Sequence, residues 1–202
     1  MARAKQQSHK GSALELFTIV AVALGLALGI QAVLVKPFRI PSESMVPTLE
    51  IGQRVLVDRV TFRIGEPERG DVVVFKPPSG ADDNVCGVRH SPRSACPRPT
   101  SRRSDTNFIK RVVAIGGDRL RIVDGQVILN GKRQKEPFIR PDDSCDICNL
   151  PTQITIPKGM FFMMGDNRGE SADSRFWGPV PKKWLIGQAF MTYWPPNRIG
   201  AL

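Results

Sequence analysis

The chain has 202 residues, with 29 lysines and arginines against 19 aspartates and glutamates, a formal net charge of +10. That length holds one domain with a proper core plus an appendage, rather than several domains. The basic excess suits an anionic membrane surface or a nucleic acid and by itself selects neither, while two histidines, His9 and His90, leave little material for a histidine-based catalytic centre.

The appendage comes first. Residues 16–35 contain no charged side chain, and as a helix such a run spans roughly 30 Å, the thickness of a bilayer core. It is longer than the apolar region of a cleaved secretory signal and passes directly into Lys36-Pro37-Phe38-Arg39, so it reads as a retained anchor. Residues 1–12 then form a short cytoplasmic tail, 13–36 the transmembrane anchor and 37–202 an extracytoplasmic domain. Arg3, Lys5 and Lys10 precede the span and Lys36 and Arg39 follow it, a modest bias toward an inner N-terminus.

After the anchor the pattern turns to short strands. Residues 54–57, 72–76, 108–115, 120–123, 126–129, 153–156, 160–164 and 186–193 are rich in β-branched or aromatic side chains and bounded by turn formers. Asp124-Gly125 between two such runs predicts a tight hairpin. With 18 glycines and 17 prolines as punctuation and no sustained helical period beyond the anchor, the fold class is mainly β: an antiparallel sheet domain with long loops, preceded by one transmembrane helix. Residues 78–106 carry Arg89, Arg93, Arg98, Arg102 and Arg103 among serines and prolines and read as a solvated loop. The four cysteines fall as Cys86 with Cys96 and Cys145 with Cys148. On the outer side of a membrane they suggest two local disulfides in preference to a zinc site, since no histidine lies near the second pair.

Three segments carry chemistry. Between Pro41 and Pro47 stand Ser42 and Ser44; prolines disfavour a helix there, and in an extended segment two hydroxyls two residues apart face one spot. A Ser-His-Asp triad would have to rest on His90 in the arginine-rich loop, so a serine nucleophile needs another base. Lysine serves if burial lowers its pKa, and in 107–114 alternation sets Lys110 with Phe108 and Val112, and Arg111 with Ile109 and Val113. One of two adjacent cations must therefore point at apolar neighbours. The third segment, 165–175, follows an apolar strand and alternates turn formers with charges, a loop held by Asp and Arg pairs.

Together these segments resemble the type I signal peptidases, membrane-anchored serine proteases with a Ser–Lys dyad. Pro41-Ser-Glu-Ser-Met-Val-Pro-Thr-Leu49 is similar to their nucleophile box, Phe108-Ile-Lys-Arg-Val112 to their lysine box, and Gly165-Asp-Asn-Arg168 with Ser171-Ala-Asp-Ser-Arg175 to their third signature. The resemblance implies Ser44 as nucleophile, Lys110 as general base, and Ser42 as an oxyanion-hole hydroxyl beside the Ser44 N–H. It also implies Ser171 as the group that orients the lysine amine, and Asp173 with Arg175 as a supporting pair. Phe38, Ile40, Met45, Leu49, Phe108 and Ile109 fall where the family builds shallow apolar pockets for an Ala-x-Ala pattern. Gln53, the Ala114-Ile-Gly-Gly-Asp118 turn and Gly169-Glu170 depart from the family's commoner residues.

The expected function is removal of N-terminal signal peptides from exported preproteins at the outer face of the cytoplasmic membrane. The expected partners are preproteins and the lipid bilayer, with no nucleic acid, no metal or other cofactor, and a monomeric chain. A rival within the class is a peptidase dedicated to one secreted or pilin-like precursor. A rival outside it is a non-catalytic peptide-binding module.

Overall fold

The computed structural model describes residues 10–140, 145 and 147–202. Among its described side chains, helix α1 (Lys10–Leu34) has no buried face: Leu14, Leu16, Phe17, Ile19, Val20, Val22, Leu24, Leu26 and Leu28 are each more than half exposed. Among the described residues, which for side chains of α1 are 13–29 and 34, no helix is long and apolar enough to cross a membrane.

The remaining elements in chain order are β1 (Val35–Arg39), β2 (Arg54–Asp58), α2 (Thr61–Ile64), β3 (Val72–Phe75), β4 (Phe108–Ile115), β5 (Arg119–Val123), β6 (Gln126–Leu129) and β7 (Lys132–Arg133). They continue with β8 (Leu150–Thr155), β9 (Met160–Met164), α3 (Ser174–Trp177), β10 (Val180–Pro181), β11 (Leu185–Trp194) and β12 (Gly200–Ala201). Every strand expected from the sequence is present. β1 is an addition: it starts where the apolar run ends, and Pro37 is tolerated there because β1 is an edge strand.

The strands form two antiparallel sheets. The larger runs β1-β2-β11-β3-β4-β9-β10, with β12 on β11, and the smaller runs β7-β6-β5-β8. The hairpin at Asp124-Gly125 forms as expected, with Val123 paired to Gln126 and both turn residues at positive φ.

β4 sits inside the large sheet and is covered on both faces, so both of its adjacent cations, Lys110 and Arg111, are buried. β9 splits its side chains between two cores. Phe162 and Met164 pack with Leu120, Ile122 and Val127 of the small sheet, while Phe161 and Met163 pack with Phe75, Trp177 and Trp184. A third cluster joins Ile40, Met45 and Leu49 to Val55, Val57, Val74 and Ile109, and so roots the segment after β1 in the large sheet.

Cys86–Cys96 and Cys145–Cys148 are disulfides, as the sequence suggested. The arginine-rich segment is less solvated than expected. Ser94, Ala95 and Cys96 are buried, because the Cys96 N–H donates to the Arg175 carbonyl (2.9 Å) and the Thr152 N–H to the Arg93 carbonyl (2.9 Å).

Candidate active site

The segment carrying Ser42 and Ser44 is a turn, not the extended stretch that its prolines suggested. The Val46 N–H donates to the Glu43 carbonyl (3.0 Å) and the Leu49 N–H to the Met45 carbonyl (2.9 Å). Met45 and Leu49, four apart, both enter the core, and that helix-like spacing was the signal available in the sequence. The two hydroxyls still meet, with Ser42 Oγ 3.4 Å from Ser44 Oγ.

Lys110 projects from β4 toward this turn. Its Nζ lies 2.5 Å from Ser44 Oγ, and both residues are buried, at 4% and 6% exposure. Among the described residues the ammonium has no carboxylate bonded to it. Burial pushes its pKa down to about 8; Asp173 and Asp166 pull it up from a distance, and the Arg175 guanidinium pushes it down. The Phe108 ring, 5.5 Å from Nζ, supplies a further wall.

The third segment grips the turn from the other side. Asp166 receives Arg111 Nε (2.9 Å) and Nη2 (2.6 Å) together with the Thr48 hydroxyl (2.6 Å). The Asn167 N–H donates to the Ser44 carbonyl (3.2 Å), and Asn167 Nδ2 donates to the Glu43 carbonyl (3.2 Å). Gly165 packs so closely that a Cβ there would stand 2.3 Å from Ser171 Oγ and 2.4 Å from the Ser44 carbonyl oxygen. Only glycine fits.

Asp173 and Arg175 pair bidentately at 2.8 Å in full burial. Burial works against the Asp173 charge, but Arg175 and the Gly165 and Arg175 N–H groups hold its pKa below the usual carboxylate range. Ser171 Oγ is buried beside Gly165 and has no hydrogen-bond partner among the described residues, so its expected bond to the lysine amine is not made. Thr48, Arg111 and Asp166 are the site residues that sequence reasoning passed over. The acid–base pairs expected inside 165–175 include one that reaches 55 residues back to Arg111.

A cavity of about 350 Å³ opens over the pair, lined by Pro41, Ser42, Ser44, Phe108, Ile109 and Lys110 with Glu170 and Ala172. A second, of about 240 Å³, shares Pro41, Phe108 and Ile109 and adds Phe38 and Ile40. Met45 and Leu49 line neither, being wholly buried beneath the turn.

Sequence comparison gives the family. The family described as "Signal peptidase, peptidase S26" matches residues 13–194. The chain belongs to the signal peptidase family. It is 33% identical over 201 residues to the signal peptidase I of Leptolyngbya laminosa, covering 98% of this chain and 88% of that one. It is 32% identical over 198 residues to a probable signal peptidase I-2 of Synechocystis (98% and 81%), and 35% identical over 235 residues to a probable signal peptidase I of Mycobacterium leprae (97% and 81%). The crystal structure of a signal peptidase I from Enterococcus faecalis matches with a TM-score of 0.41 at 22% identity, over 62% of this chain and 97% of that one. As in other signal peptidases of the S26 family, the chain is a serine peptidase.

Proposed function

We propose that the protein is a membrane-bound serine endopeptidase that removes N-terminal signal peptides from exported preproteins, with Ser44 as nucleophile and Lys110 as general base. The observation that carries this reading is the buried, unpaired amine 2.5 Å from a buried hydroxyl. With its pKa at about 8, roughly a tenth of the lysine is neutral at pH 7, against less than a thousandth for an ordinary one. A neutral amine accepts the Ser44 proton as Oγ attacks the scissile carbonyl. The resulting oxyanion is met by the Ser44 N–H and the Ser42 hydroxyl. The protonated lysine then passes its proton to the leaving amine, and in its neutral form activates the water that hydrolyses the acyl-enzyme.

The two adjoining cavities suit small apolar side chains on the acyl side of the cut. Helix α1, exposing apolar side chains all round, serves as a single anchor in the cytoplasmic membrane with the N-terminus inside and the domain on the outer face. Confining enzyme and tethered substrate to one surface raises their effective concentration.

Purified wild type, Ser44→Ala and Lys110→Ala are to be compared on a preprotein in detergent. Cleavage is expected from the wild type alone, on a profile rising with pH through about 8, and Lys110→Ala with full activity refutes the dyad. Ser42→Ala is expected to lower kcat by about 10²–10³ with KM little changed.

A further inference from the structure

Arg175 is held from three directions. Its Nε and Nη2 bind Asp173, Nη2 also donates to the carbonyls of Arg168 (2.7 Å) and Ser171 (3.3 Å), and its own carbonyl receives the Cys96 N–H (2.9 Å). Nη1 points elsewhere. It lies 3.7 Å from Cys145 Sγ and 3.6 Å from Cys148 Sγ, and among the described residues these sulfurs are the acceptors it meets. The bridge is tied to the small sheet, because the Cys148 carbonyl accepts the Gly125 N–H (2.7 Å) at the tip of the β5–β6 hairpin.

We infer that the Cys145–Cys148 disulfide is a positioning element of the active site, setting Arg175 and, through it, the Asp173–Gly165 contact that backs the Ser44 carbonyl. Steric reasoning supports the link. Opening the bridge leaves two thiols where one bond stood; unbonded sulfurs need more room and each thiol rotates independently, so the pair no longer holds two acceptors fixed against Nη1. The guanidinium must then shift, and Asp173, bonded to it by both oxygens, shifts with it. Asp173 Oδ2 accepts the Gly165 N–H (3.0 Å), and Gly165 has no slack against Ser171 and Ser44. Lys110 feels the same movement. Of the charges acting on it, Asp166 stays fixed by Arg111, whereas Asp173 and Arg175 move together and water enters beside the amine. Loss of burial, the largest influence on the amine, raises the lysine pKa; withdrawal of Arg175 also raises it and withdrawal of Asp173, the stronger of the two charges, lowers it, so burial decides the sign and activity moves to higher pH.

The inference rests on the Ser44–Lys110 reading. The test uses the oxidised full chain in detergent and compares wild type, Cys145→Ser/Cys148→Ser and Cys86→Ser/Cys96→Ser in preprotein cleavage across pH. The Cys145→Ser/Cys148→Ser variant is expected to lose about tenfold in kcat with KM within about twofold, and its activity limb moves to higher pH. The Cys86→Ser/Cys96→Ser variant, which keeps the backbone bond to Arg175, changes less. If the first variant does not fold, the folded Cys86→Ser/Cys96→Ser variant, whose remaining cysteines are Cys145 and Cys148, is opened with a dithiol reductant, assayed, and reoxidised, and the same loss and recovery are expected. An unchanged kcat and an unchanged limb in the folded variant or the opened enzyme overturn the inference. If the wild type itself cleaves nothing, the dyad reading has failed. The pH dependence of Lys110 modification by an amine-directed reagent, read by mass spectrometry, still decides the bridge's role: a higher midpoint on opening supports it and an unmoved one refutes it.

Discussion

The two faces of β4 treat adjacent cations in opposite ways. Arg111 finds two carboxylate oxygens on Asp166, the Gly70 carbonyl (2.7 Å), the Thr48 hydroxyl (3.3 Å) and the Phe138 ring beneath its guanidinium (4.0 Å). Lys110, one residue earlier and just as buried, finds one serine oxygen. A fully paired cation is a structural group, because its charge is neutralised in place and its partners bind other elements. One left unpaired is pushed toward its neutral form and becomes a base. Burial alone distinguishes nothing here; what decides the role is whether a carboxylate comes with it.

The largest effect expected from breaking this contrast is that of Lys110→Arg. Guanidinium stays charged at any working pH, so the substitution keeps the positive charge and removes the proposed base; cleavage should fall by about four orders of magnitude. Next is Asp166→Asn, which leaves Arg111 buried without a countercharge. Chemical denaturation should show a loss of about 3–5 kcal/mol. The opposite sign is expected for Lys110→Met, which removes a disfavoured buried charge. The folded-state pKa of about 8 lies below a lysine's ordinary value of 10.5, so the folded protein binds fewer protons between those values and wild-type stability rises with pH across that window. The gain from Lys110→Met is therefore greatest below about pH 8, on the order of 3 kcal/mol at most, and vanishes toward pH 10.5. A gain independent of pH would mean that the amine is not penalised by burial.

Short-range features were legible in the sequence, and contacts across the chain were not. The strands and the Asp124-Gly125 hairpin follow from β-branched runs and a turn that wants two positive φ values. Ser44 and Lys110 came from three ordered segments, with local alternation giving Lys110 its apolar neighbours. The Thr48–Asp166–Arg111 triangle joins residues from three distant segments, and no spacing rule reports such a contact. The turn at 43–49 was hidden because Pro41 and Pro47 argued for extended backbone, while the Met45 and Leu49 pair that argued for a turn gains its meaning from the core beneath it. Ser171 shows the reverse. Its place beside the site was legible, whereas its unbonded hydroxyl depends on sub-ångström placement against Gly165.

One junction fixes a dimension. Helix α1 ends at Leu34, the Leu34 carbonyl accepts the Arg59 N–H (2.9 Å), and β1 begins at Val35 already paired with Asp58 of β2. The path from the helix end toward the nucleophile is therefore a paired strand of five residues, roughly 17 Å long, and not a slack tether. It acts as a ruler. With α1 as the anchor proposed above, the distance from the helix end to the Ser44 turn is set by pairing with β2 and not by the slack of a linker.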